Sequence, residues 1–275
     1  MDPTPGMSLA ENLWVRVLLF DNIKECRLSC ESGFSLVGKE NGAKAVFDAG
    51  AETIVITLSN GSVKAGEHVF GEEVTLQPDT PFVFDLNGKQ YRGNLRLIVN
   101  RDSKTFDAIN VVPAESYLAG VVGAEMPSYW EGEALKAQAI AARTYCLYTK
   151  MNSGKDRRWD VKGTQAHQVY DGIKAETKTV WTAIRQTAGK VLVHKDSEGD
   201  EKMFPTFYSS TCGGNSSSYG IGEWVSLHLT RDEHTKFHNL WITKIGVRSH
   251  GLFDWIRLSR IWVIRIINIS GICNK

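Results

Sequence analysis

Between Val111 and Tyr148 the chain reads VVPAESYLAGVVGAEMPSYWEGEALKAQAIAARTYCLY, two stretches of helical periodicity parted by a proline, and no other segment limits the fold as strongly. In the first stretch Leu118, Val121, Val122 and Glu125 follow the i, i+3, i+4, i+7 spacing of one apolar face, so a carboxylate continues a buried stripe. Pro127 disfavours helical geometry at Met126 and predicts that the helix ends just after Glu125. The carboxylate then meets the negative end of the helix dipole, which disfavours its ionised form by ~0.3–1 kcal/mol, and burial acts in the same direction. Both raise the expected pKa. A glutamate kept protonated near neutral pH suits general-acid cleavage of a glycosidic bond, where proton transfer contributes roughly 10²–10⁴-fold in rate. The competing reading is a helix-end glutamate paired with Lys136 or Arg143, and the local pattern alone favours that structural role.

Ser128 and Glu131 have the spacing of a capping box ahead of an alanine-rich run, so a second helix is expected over Glu133–Met151. Leu135, Ala139, Ala142 and Cys146 make one stripe of mostly small side chains, which allows close backbone approach to a neighbour. Gln138 and Tyr145 border this stripe, and Lys136 and Arg143 share another face. A helix–Pro–helix corner with a carboxylate at its apex is the resulting picture.

Upstream, Trp14 to about Asn110 reads as β structure: LWVRVLLF, TIVITL, FVFDL, KQYRG and LRLIVN are short strands rich in β-branched and aromatic residues. Asn60-Gly61 and Asn87-Gly88 mark hairpins, because both residue types tolerate positive φ. Downstream, 152–162 with its KDRRWD reads as an exposed loop, Glu176–Ala188 as a helix, and Lys190–His194 and Phe204–Tyr208 as strands. The fold class is α+β, with helices inserted between β segments. The expected organisation is a tail at 1–13, a β-rich part at 14–110, a helical and mixed part of the same domain at 111–214, and an unmatched tail at 215–275.

VVPAESYLAGVVGAEMP and EALKAQAIAARTY, together with KQYRGNLRLIVN, HQVYDGI and FYSSTCGG in the same order, resemble the sporulation stage II protein D family, which includes the amidase-enhancer type of cell-wall protein. The likeness runs from about Val15 to Gly214. It implies a lytic transglycosylase acting on the glycan strands of peptidoglycan, with Glu125 of the EMP motif as the catalytic residue and Lys136 and Arg143 as the functional basic positions. It further implies that FYSSTCGG lines a glycan groove, so Tyr208, Ser210 and Cys212 join Tyr170 of HQVYDG as candidate substrate-binding residues. Aromatic and hydroxyl groups suit sugar rings, although a buried structural tyrosine is an equal reading of Tyr170. Some family members hold zinc between the second helix and the QVY motif. Here that region keeps His167 without a cysteine, so neither a metal nor another cofactor is expected.

The usual glycosidase route needs two carboxylates, and the candidates for a second are poor: Glu115 is displaced along the same helix and rotated off its face, while Glu131 fits a cap. A lytic transglycosylase avoids this need, because the sugar's own C6 hydroxyl closes a 1,6-anhydro ring and one carboxyl serves as acid and then as base. A cysteine-nucleophile reading, with Cys212 activated by His167 or His194, competes weakly with a glycine-rich turn whose backbone contacts a ligand. The rival from another class is a non-catalytic wall-binding module that enhances a partner N-acetylmuramoyl-L-alanine amidase.

A chain of 275 residues, 42% hydrophobic and 23% charged, can bury a sizeable core, and a formal net charge of +1 lacks the basic footprint of a nucleic-acid partner. The five cysteines are an odd number with no CxxC pair, and Cys26 and Cys30, if on one strand, lie about 13 Å apart, beyond disulfide reach. Free thiols are expected. The opening residues show neither a basic n-region nor an apolar run of signal length, whereas the resemblance implies an exported, extracytoplasmic protein of the cell wall. The expectation is therefore a truncated product or one without its leader. After Gly214 the sequence leaves the family pattern, which predicts a change of reading frame shortly after Cys212. A cationic segment contacting a membrane surface, WIRLSRIWVIRIINIS, is the competing reading.

Overall fold

The computed structural model describes residues 13–101, 104–153, 156–196 and 198–209, together with the strands Ser226–His228, Trp255–Arg257 and Val263–Asn268. Its architecture is mixed and strand-rich, with three α-helices among the described residues: α1 (Ala114–Glu125), α2 (Gly132–Asn152) and α3 (Lys178–Gln186). The chain divides into two compact units, Met1–Glu125 with Lys155–Glu176, and Met126–Gly154 with Thr177–Lys275.

In the first unit a seven-stranded sheet runs in the order Val161–Lys162, Trp14–Ile23, Thr105–Pro113, Asn94–Asn100, Glu73–Pro78, Phe34–Gly38, Lys44–Phe47. A second sheet of six strands holds both hairpins read from the sequence. Ser59 pairs with Ser62 across Asn60 (φ 50) and Gly61 (φ 77), and Leu86 pairs with Lys89 across Asn87 (φ 54) and Gly88 (φ 82). Positive φ at both central residues matches the right-handed twist of the flanking strands.

The strand Thr105–Pro113 is flanked on both sides and has Phe106, Ala108, Ile109 and Val112 in the core. It absorbs VVP, which the sequence placed at the start of the helical pair, and delivers the chain into α1 at Ala114 without a loop. The helix ends at Glu125, as Pro127 predicts. Its segment from Tyr117 to Val122 is buried on every side, wider than a single stripe.

In the KDRRWD segment Asp156, Arg157 and Arg158 are exposed, as expected of a loop, but its end is not. Asp160 is 1% exposed and holds Arg16 through its backbone N–H and guanidinium, and Val161–Lys162 then adds a parallel strand beside Trp14–Ile23. A buried carboxylate in such a segment is tolerable because a cation and an N–H satisfy it.

In the second unit α2 starts at Gly132, and its Leu135, Ala139, Ala142 and Cys146 are all buried, as the small-residue stripe requires. The capping box is not formed. Glu131 occupies the N-cap with no side-chain cap hydrogen bond, while the Ser128 carbonyl accepts from the Thr179 hydroxyl. α3 is shorter than expected because Thr177 caps it, its hydroxyl accepting from the Val180 N–H. Ahead of it lies a separate 3-10 turn, Gly172–Ala175, in the first unit. Lys190–Lys195 forms a strand, and the last expected strand is displaced to Phe207–Ser209. Within the tail, Val263–Asn268 pairs antiparallel with Lys190–Lys195, and Phe207–Ser209 pairs with Ser226–His228. Among the described residues no helix is long and apolar enough to cross a membrane. Cys26, Cys30 and Cys146 are free and buried; Cys212 and Cys273 lie outside the described residues.

Candidate functional site

Glu125 closes α1 with a half-buried side chain, and its Oε1 accepts the backbone N–H of Val169 at 2.7 Å. Among the described residues this is its single hydrogen bond, so Oε2 is left without a partner. Burial pushes the carboxyl above the ordinary glutamate range, and the Val169 N–H pulls it back only in part, so the net direction is upward. The direction expected from the sequence holds, with burial as its leading cause. The structural alternative, an ion pair with a basic residue, gives way to an uncharged backbone donor. A raised carboxyl keeps its proton to higher pH than an ordinary glutamate, the direction that suits a general acid beside a reacting oxygen.

Val169 belongs to the HQVYDGI segment, which lies against α1. Gly120 makes that approach possible, since a Cβ there would come within 2.5 Å of the Tyr170 ring. Gly123 does the same for the Ala175 backbone. Gly172, at φ +61, brings the chain beside the Gln90 carbonyl and the Tyr91 ring.

Tyr170 is 4% exposed and packs its ring against Tyr91 and Tyr117, with its hydroxyl donating to Asn110 Oδ1 at 3.1 Å. Of the two readings the sequence left open for it, the buried one matches this position. Asn110, fully buried in the sheet, spends its amide on the carbonyls of Arg92 and Asn94. Tyr117 donates to Gln168 Oε1. The nearby acids of the segment are already paired: Asp171 with Lys89, and Glu176 with Arg92 through three contacts.

Asn110, Tyr117 and Gln168 were missed by sequence reasoning. A signal existed, in an asparagine interrupting the apolar AINVV run and a glutamine inside the HQVYDG motif, but neither names its partner.

The basic candidates stand in the second unit. Lys136 pairs with Glu133 one turn earlier. Arg143 is 1% exposed, the largest side chain so fully buried among the described residues, and donates to the carbonyls of Lys190 (3.1 Å) and Ala139 (3.5 Å). Tyr208 is half-buried on Phe207–Ser209, while Ser210 and Cys212 lie outside the described residues. Of the histidines invoked beside Cys212, His167 is in the first unit, its Nδ1 accepting from the Lys162 N–H, and His194 is on a strand of the second. Among the described residues the carboxylates close enough to share a cation are Asp196, Glu198 and Asp200, on an exposed turn where Lys202 already pairs with Asp196.

Residues 102–194 match the family model described as Stage II sporulation protein, SpoIID, which takes in Glu125, Lys136, Arg143 and Tyr170 and stops short of Tyr208. The chain is 34% identical over 168 residues to an uncharacterised protein of Brachyspira hyodysenteriae, covering 61% of this chain and 43% of that protein. It is 36% identical over 148 residues to the amidase enhancer of Bacillus subtilis, covering 53% of this chain and 19% of the relative. It is 33% identical over 114 residues to stage II sporulation protein D of the same organism, covering 36% of this chain and 33% of the relative. The chain thus spans less than half the length of each of these relatives.

Proposed function

On the footing that this chain is SpoIID-like over residues 102–194, we propose that it is a lytic transglycosylase that cleaves the β-1,4 bond between N-acetylmuramic acid and N-acetylglucosamine in peptidoglycan glycan, with Glu125 as the catalytic residue. The observation that carries the reading is the Glu125 carboxyl itself, with burial that raises its pKa, a backbone donor on one oxygen and the other oxygen open. With Oε1 engaged as an acceptor, the proton belongs on Oε2. It passes to the glycosidic oxygen as the bond to the anomeric carbon breaks. The C6 hydroxyl of the same muramic sugar attacks that carbon, and its proton returns to Glu125, leaving a 1,6-anhydro ring and a regenerated acid. No water is consumed, so no second carboxylate is required.

The surrounding acids support a one-carboxyl route. Glu115, ten residues earlier on α1, is about 15 Å away along the axis. Asp171 and Glu176 are occupied by Lys89 and Arg92. In this reading Lys136 and Arg143 are the functional basic positions, Tyr208, Ser210 and Cys212 are substrate-binding residues, and Tyr170 supports the segment that holds Glu125. The substrate places the working protein outside the cytoplasm, at the wall. A second reading, a non-catalytic wall-binding module that assists a cell-wall amidase, draws on the name of the Bacillus subtilis amidase enhancer.

The two separate by product. Purified wall glycan incubated with wild type should acquire anhydro-muramic ends detectable by mass spectrometry, and Glu125→Gln should abolish them. Glycan retention without such ends favours the module, and reducing ends in their place would indicate a hydrolase.

A further inference from the structure

We infer that the Val169 N–H is a built positioning device for the Glu125 carboxyl, and that Tyr117 and Tyr170 are positioning residues that hold this N–H in place through Gln168 and Asn110. The inference rests on the lytic transglycosylase reading only for its kinetic consequence; its structural content is independent of it.

A backbone N–H cannot be aimed by its own side chain, so its direction is set by whatever fixes the residues on either side. Both neighbours of Val169 are fixed from one continuous stretch of the core, a strand and the helix it runs into. On one side Gln168, 1% exposed, takes the Tyr117 hydroxyl at 3.1 Å. On the other, Tyr170 gives its hydroxyl to Asn110, which the Arg92 and Asn94 carbonyls already lock by its amide. Tyr117 lies on α1 two turns before Glu125, and Asn110 lies on the strand that runs directly into α1. The carboxyl and the donor that holds it are therefore referenced to one continuous strand–helix segment. The Tyr170 and Asp171 N–H groups complete the lock through the carbonyls of Gly163 and Gly120.

This arrangement decides which oxygen reacts. An N–H at 2.7 Å makes Oε1 the acceptor in both protonation states, so the mobile proton is confined to Oε2 and the carboxyl cannot exchange its two oxygens by rotation without losing that bond. Slack in the segment would let the carboxyl turn. A misplacement of about 1 Å can cost on the order of 100-fold in rate.

The test uses variants that keep both rings in place. Tyr117→Phe and Tyr170→Phe each delete one oxygen, and the double variant removes both hydroxyl bonds that flank Val169. In valine-labelled protein the Val169 amide proton should resonate downfield and resist exchange, and Glu125→Ala should move it upfield, which defines the signature of the bond. The double variant should move it the same way and lower kcat by about 10- to 100-fold, with KM within about twofold of wild type. A double variant that melts earlier yet keeps the wild-type Val169 signal and kcat would overturn the inference and assign both hydroxyls to stability alone. Should wild type make no anhydro product, the proposed activity fails, while the Val169 signal in Glu125→Ala and in the double variant still decides whether the device exists.

Discussion

Gly123→Ala tests whether the approach of the 3-10 turn to α1 is as close as the geometry requires. In an exposed helix the change would be favourable by ~1 kcal/mol, because glycine is a poor helix former. Here the added Cβ would fall inside the van der Waals shell of the Ala175 carbonyl oxygen and 2.9 Å from its carbon. Ordinary carbon–oxygen contacts lie near about 3.3–3.6 Å, so the turn must retreat by roughly 1.5 Å, and the obstacle is backbone rather than the end of a flexible side chain. Overpacking of this kind costs ~1–3 kcal/mol, and with the helix gain deducted a net loss of up to about 2 kcal/mol remains. At roughly 2–4 °C per kcal/mol the melting temperature should fall by up to about 8 °C. Gly132→Ala is the matched control: nothing lies within 4 Å of its added Cβ, and it should gain ~0.4–1 kcal/mol. Calorimetric scans of the two variants should move in opposite directions. A Gly123→Ala protein that gains stability as Gly132→Ala does would refute the close approach and the accommodation of the HQVYDGI segment built on it.

Asn110→Ala should destabilise the protein by about 2–5 kcal/mol in urea titrations, since it strands two backbone carbonyls and the Tyr170 hydroxyl in the core. Glu125 makes an opposite kind of prediction. Its folded pKa is raised, so its contribution to stability is present below the unfolded value and lost as pH rises through the folded one. Glu125→Gln should therefore melt with wild type in acid and above it near neutral pH, and coincident curves throughout would contradict this. Glu73 has the reverse sign: burial pushes it up, but hydrogen bonds and charge from Lys39 and Arg96 outweigh burial and hold it low. Its contribution is present above the ordinary carboxylate range and lost as pH falls through the lowered value, so Glu73→Gln should flatten the acid limb of the stability curve.

The helix end at Glu125, the buried stripe on α2 and the two hairpins were legible because each is a local consequence of residue chemistry. Pro127 bars helical geometry at the residue before it, alanines at helical spacing leave room for a neighbour, and Asn-Gly accepts two positive φ angles. The same local rules misled at Ser128 and Glu131, where the spacing of a capping box was present but the helix starts later, with Glu131 itself at the N-cap. They misled again at Asp160, whose charged surroundings read as a loop until Arg16 supplied the buried partner. Sequence alone determined that a glutamate would stand at the end of a buried helix, and motif order marked Glu125 as the one to follow. What holds that glutamate was decided only in three dimensions. Val169 is 44 residues away along the chain, Asn110 is 60 from Tyr170, and Tyr117 is 51 from Gln168. No periodicity spans such distances, because a hydrogen bond between remote segments depends on the sheet, the helix and the glycines that let them meet.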